Sequence, residues 1–158
     1  MSSLYDDDIL LWSEQQAEVI RRLGRTRRDL SNELDVENVA EEIEGVGRSE
    51  LAAVKSYIRL VFLHLIKIVV ERESEAVRHW RGEIVAFHSA MMDRYTPSMR
   101  QRIDIDELWR SAREQSMLAY DAEQGTRAAQ LPTRCPFTLD DVLAARIESS
   151  TLVQRLEQ

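Results

Sequence analysis

Residues 35–72, DVENVAEEIEGVGRSELAAVKSYIRLVFLHLIKIVVER, begin as a helix striped with carboxylates and end as one that is apolar on nearly every side. In the second half Leu51, Val54, Ile58, Val61, Leu65 and Ile68 recur at intervals of three and four, the repeat that sets side chains on one face of a helix. Leu60, Leu63, Ile66 and Val70 fall on the other faces, and a helix that is apolar all round has to be covered all round. This segment is therefore expected at the centre of a bundle, with one side belonging to another subunit if the chain's own helices do not cover it. In the first half Asp35 is a good N-cap, and Val36, Ala40, Ile43 and Gly47 mark the inward face. Gly45 and Gly47 each cost about 1 kcal/mol relative to alanine within a helix, so this spot either breaks the helix or lets a neighbour cross closely.

Upstream, a helix is expected over Tyr5–Leu23, with Ser2 or Ser3 as cap, Asp6 to Asp8 in its first turn and Gly24 as its stop. Its buried stripe would be Tyr5, Ile9, Trp12, Gln16, Val19 and Leu23, and Arg25 to Leu34 reads as a connection. Downstream, Ser74–Tyr95 would bury Val77, Trp80, Ile84, Phe87 and Met91, and Thr96-Pro97-Ser98 would start a short helical turn. Asp104 or Asp106 opens a further helix running to Gly125, with Leu108, Trp109, Ala112, Ser116, Ala119 and Ala122 inward. Thr138 and Asp141 have the spacing of a capping box ahead of a short C-terminal helix over Val142–Ile147. No alternating strand pattern or internal repeat competes, so the expectation is an all-α, compact multi-helix bundle forming one domain over residues 1–158.

The net charge of −7 repels phosphate backbones on average, so nucleic acid is disfavoured as a partner unless a local basic patch overrides it. Arg21, Arg22, Arg25, Arg27 and Arg28 form that patch, but they sit at a helix C-terminus, where cations complement the dipole, and no aromatic residue interleaves them for base stacking. Cys135 is the only cysteine, which excludes an intrachain disulfide and fits a reducing compartment. The acidic N-terminus does not resemble a secretory signal, and the apolar run Tyr57–Val70 is interrupted by Arg59, His64 and Lys67. That run is shorter than the ~20 residues a membrane span needs. A cytoplasmic protein without membrane partners is expected.

Glu37, Glu41, Glu44 and Arg48 share one narrow stripe of the acidic helix. Such a stripe can bind a ligand, a partner or a divalent cation, but a solvated face stitched by a Glu44–Arg48 pair is the simpler reading. His64, beside Tyr57, Lys67 and Glu71, has the ingredients of a general base, although a hydrogen-bonded structural histidine is commoner in such a setting. His79 and His88 are half a turn out of phase and cannot ligate one metal from an unbroken helix. The residues three before each histidine are Val61, Ala76 and Val85, which excludes the Glu-x-x-His pattern of a di-iron bundle. Neither a zinc motif, a phosphate loop nor a nucleophile elbow is present. Cys135 between Arg134 and Pro136 is expected to pack a loop rather than act as a reactive thiol.

The strings LYDDDILLWSEQQAEVIR, LDVENVAEEIEGVGRSE, the HLIK of His64–Lys67, Trp80 and CPFTLDDVL resemble, in order and spacing, the bacterial domain-of-unknown-function family numbered twenty-nine, over Leu4 to Leu143. The motif positions include Tyr5, Asp8, Trp12, Gln16, Asn38, Glu41, Glu42, Glu44, Arg48, Ser49, Glu50, His64, Lys67, Trp80, Cys135 and Pro136. Ile68 stands where the family usually carries tryptophan, and the C-terminus also departs from the pattern. The resemblance implies a small all-helical bacterial protein and brings no catalytic residue or cofactor with it. The functional expectation is a noncatalytic interaction module, a possible homo-oligomer through Leu60, Leu63, Ile66 and Val70, or one with an unidentified protein partner. Its candidate ligand or partner site is Glu41, Glu44, Arg48, His64 and Lys67, with no metal or cofactor. A metal-binding protein or enzyme using this Glu/His/Arg cluster is the alternative, and a nucleic-acid-binding regulator using the arginine cluster is the weaker one.

Overall fold

The computed structural model describes residues 3–27 and 34–158. Among these the chain is all-α: α1 (Leu4–Asp7), α2 (Ile9–Thr26), α3 (Val36–Val70), α4 (Val77–Met92), a 3₁₀ helix (Pro97–Arg102), α5 (Ile105–Ala119), α6 (Ala122–Gln130), α7 (Leu139–Val142) and α8 (Ser149–Leu156). None of the described helices is long and apolar enough to cross a membrane. The chain divides into two compact units, one of residues 1–53 with 94–103 and the other of residues 54–93 with 104–158.

In the first unit the expected single N-terminal helix is two. Asp8 leaves helical geometry at φ −153° and ψ 83°, ends α1 and caps α2 by accepting from the Leu11 amide at 3.0 Å. The break shifts the buried line of α2 to Leu10, Ser13 and Ala17, while Tyr5 and Leu23 of the expected stripe are exposed. Ser3 caps α1, and Ser2 and Arg28 lie outside the described residues. The helix runs through Gly24 to Thr26, so Gly24 is no stop signal. A Cβ there would come within 2.6 Å of Val36 Cγ1, so the glycine makes room for the start of α3.

Asp35 caps α3 as expected, accepting from the Asn38 amide at 3.3 Å. The helix is unbroken at Gly45 and Gly47. A Cβ on Gly47 would lie 2.9 Å from Leu10 Cα and would overlap the Ser13 hydroxyl, so this glycine permits the close crossing of α2 over α3. Asp8 then ties the 3₁₀ helix to α2. Its carboxylate accepts from the Ser98 amide at 2.9 Å, the Ser98 hydroxyl at 2.6 Å and the Thr96 hydroxyl at 3.0 Å.

The second unit is built on the apolar half of α3, where every residue from Val61 to Ile66 is buried. Phe62 meets Trp109 edge-on at 5.6 Å and stacks on Phe137 at 5.8 Å, a three-ring core whose rings adopt the geometry their quadrupoles favour. The Trp109 indole donates to the Pro132 carbonyl at 2.8 Å, which removes the cost of burying its N–H. Leu63, Ile66 and Val70, offered above for self-association, are buried within the single chain, and Leu60 is half-buried. That surface is covered without a second subunit.

Two helix boundaries differ from expectation. Asp121 accepts from the amides of Glu123 and Gln124 and starts α6, so the expected long helix to Gly125 is two, and Ala119 and Ala122 are exposed. The Thr138–Asp141 capping box forms, but α7 ends at Val142 and a separate α8 buries Leu152, Val153 and Leu156.

Candidate functional site

The expected site residues fall into two groups on α3. Near its N-terminal end Glu44 is clamped by Arg21 of α2, whose guanidinium makes paired contacts at 2.6 and 3.1 Å, while Arg48 approaches one turn later at 3.3 Å. The Arg21 hydrogen bonds hold the Glu44 carboxyl below its usual range against the opposing effect of burial, and Glu44 in turn raises Arg21. Arg48 also reaches the Glu41 carbonyl at 3.3 Å, and Arg21 contacts Glu37 at 3.4 Å. This group is a salt-bridge network that joins α2 to α3. Two members of the basic cluster are spent on carboxylates of the same unit, Arg21 as described and Arg25 on Glu18 at 2.7 Å. No group of three or more metal-ligating side chains forms among the described residues.

The second group belongs to the other unit. The acid that meets His64 is Glu83 of α4, not Glu71. The imidazole is almost fully buried, with Nδ1 2.8 Å from the Leu60 carbonyl and Nε2 2.9 Å from the Glu83 carboxylate. A carbonyl only accepts, so the contact to Leu60 calls for an Nδ1–H donor and leaves Nε2 facing the Glu83 carboxylate. On the outer side of α4 the exposed His79 stands 3.5 Å from the same Glu83 oxygen. Glu83 thus links an enclosed imidazole to an exposed one. Phe87 packs against the His64 ring at 5.1 Å and stacks with Tyr57 at 6.4 Å, sealing its inner side. Lys67 lies 5.8 Å from the centroid of the Trp80 ring, a cation–π contact that occupies its charge.

The outer face of α4 is where this arrangement opens. Glu75, Arg78, His79, Gly82, Glu83 and Ala86 line a shallow depression of about 600 Å³. A Cβ added to Gly82 would meet no atom within 4 Å. Sequence reasoning missed Glu83, His79 and Gly82 as members of the site. The spacing of four between His79 and Glu83 on one helix was the available signal. Cys135 is half-buried, and burial, with Asp106 and Asp141 nearby, pushes its thiol up to about 12, against a backbone hydrogen bond from Phe137. A raised thiol disfavours the thiolate that nucleophilic chemistry needs.

The chain is similar over 99% of its length, and 99% of the other's, to an alpha-helical protein of unknown function from Rhodospirillum rubrum whose crystal structure is known, with 36% identity and a TM-score of 0.87. A comparison with curated proteins found no match. The profile described as Domain of unknown function DUF29 matches residues 4–147, a span that takes in the Asp8 cap, the Glu44 clamp, the His64–Glu83 link and the Thr138 capping box. The chain belongs to the DUF29 family.

Proposed function

We propose that this chain is a noncatalytic, cytoplasmic interaction module that pairs with a second copy of itself through the outer face of α4. The observation that carries this reading is Gly82, which lies in the floor of the α4 depression with open space where a side chain would stand. A glycine in an exposed helix interior costs about 1 kcal/mol relative to alanine, a cost that close approach of another backbone would offset. Ala86, one turn on, keeps the approach open.

The charges favour a second copy over an unrelated partner. Glu75 and Glu83 alternate with Arg78 and His79 around the glycine, and a two-fold contact sets such a mixed patch against itself with opposite signs facing. Two chains of net charge −7 repel one another elsewhere, so the contact is expected to be salt-dependent and confined to this patch. His64 supports the face from behind by fixing the Glu83 carboxylate at 2.9 Å. Hydrogen exchange at the amides of Val77–Met92 tests the reading. Protection there is expected to rise with protein concentration in the wild type and to stay constant in Gly82→Arg. Protection that ignores concentration in both would overturn it.

A further inference from the structure

A second opening in the same unit is built differently. The last turns of α4 face the stretch Ala145–Ile147, which follows α7, across a cleft of about 340 Å³, at the small end of the ~300–1,000 Å³ typical of small-molecule sites. Val85, Met92 and Ile147 supply an apolar wall, and Val85 is 56% exposed although it is a large aliphatic residue. His88 lines the inner side, more than nine-tenths buried, with its Nε2 enclosed and given no hydrogen-bond partner by the chain. A buried polar atom without a partner is uncommon enough in folded proteins to call for one. Asp93 and Arg146 carry opposite charges in the same lining, yet among the described residues neither has an ion-pair partner.

We infer that this cleft binds a free α-amino acid with an aliphatic side chain. The two charges orient it. Asp93 is the C-cap of α4, where the helix dipole adds negative potential, so the ligand ammonium belongs at that end. The Arg146 guanidinium takes the carboxylate, for which its planar fork of donors is suited. A zwitterion with adjacent charges bridges two groups that do not reach one another, and its side chain covers Val85, Met92 and Ile147.

Isothermal titration calorimetry with leucine tests this, alongside 4-methylpentanoate, which lacks the ammonium, and isopentylamine, which lacks the carboxylate. Leucine is expected to bind, and each analogue to bind at least about tenfold more weakly, the order expected for one lost charge-assisted hydrogen bond. Arg146→Met and Asp93→Asn alter exposed side chains, so the fold should survive, which thermal melting checks. Each is expected to weaken leucine about tenfold or more. Absence of leucine binding at millimolar concentration, or leucine affinity unchanged in both variants, would overturn the inference. Equal affinity for 4-methylpentanoate would overturn it as well, since the Asp93 end would then recognise nothing.

Discussion

Replacing Asp8 by alanine should unfasten the first unit at one point. The side chain caps α2 through Leu11 and holds the Ser98 amide together with two hydroxyls, while only 6% of the residue is exposed. Loss of the cap costs about 1 kcal/mol, and the half-buried Ser98 amide left without an acceptor costs about 1–3 kcal/mol where water does not replace the carboxylate. The hydroxyls of Thr96 and Ser98 can rotate toward other acceptors and add little. The expected loss is about 2–4 kcal/mol, or roughly 5–15 °C in Tm at ~2–4 °C per kcal/mol for a chain of this size. Asp8→Asn keeps one capping oxygen and should lose less. Burial alone would raise the Asp8 carboxyl, but hydrogen bonds from the Ser98 hydroxyl, the Leu11 and Ser98 amides and the Thr96 hydroxyl outweigh it and hold the carboxyl below its usual range. A lowered folded-state value makes the contribution of the carboxylate complete above the unfolded value near 3.8 and lost as pH falls through the folded one. Thermal melts followed by far-ultraviolet circular dichroism should therefore show a gap between wild type and Asp8→Asn that is flat at neutral pH and closes in strong acid. An Asp8→Ala protein melting within about 2 °C of wild type, under 1 kcal/mol by the same conversion, would refute the reasoning.

Gly47→Ala is expected to destabilise, because the added methyl meets Leu10 backbone at 2.9 Å, whereas Gly45→Ala meets only Arg48 at 3.8 Å and should gain up to about 1 kcal/mol in helix propensity; chemical denaturation of the pair reads both signs. Phe62→Ala, which empties the centre of the three-ring core, should cost about 3–5 kcal/mol in the same assay. Cys135, with its thiol pushed up to about 12, should react with iodoacetamide at neutral pH far more slowly than an exposed cysteine and reach the exposed rate only on unfolding, as mass spectrometry over time would record.

The apolar half of α3 was legible because Val54 to Val70 repeat at helical spacing, and burial all round follows from that repeat. The caps at Asp35 and Thr138 were legible from the residue types beside them, and of the two aspartates offered for α5 it is Asp104 that caps, accepting from the Glu107 amide at 3.0 Å. Asp8 was not, because its partners Thr96 and Ser98 lie some ninety positions away, and only their hydrogen bonds make a break at Asp8 worth more than another turn of helix. Glycine misled as a stop signal. Gly24 and Gly125 read as stops yet lie inside helices, and Gly24 is needed for room beside Val36. Within the site, the Glu44–Arg48 pair followed from its spacing of four, but Arg21 closes the network from another helix. His64 was identified without its acid, because Glu83 comes from α4, and a histidine's neighbours across a helix contact leave no trace in its own repeat.

Sedimentation velocity over a wide concentration range, comparing the wild type with Gly82→Arg, tests the central claim most directly. The arginine has space in the single chain, so both proteins should be equally folded. The wild type is expected to approach twice its chain mass of 18.3 kDa as concentration rises, and the variant to stay at the mass of one chain. A wild type that remains a single chain throughout, or a variant that pairs as tightly as the wild type, would contradict self-association through α4.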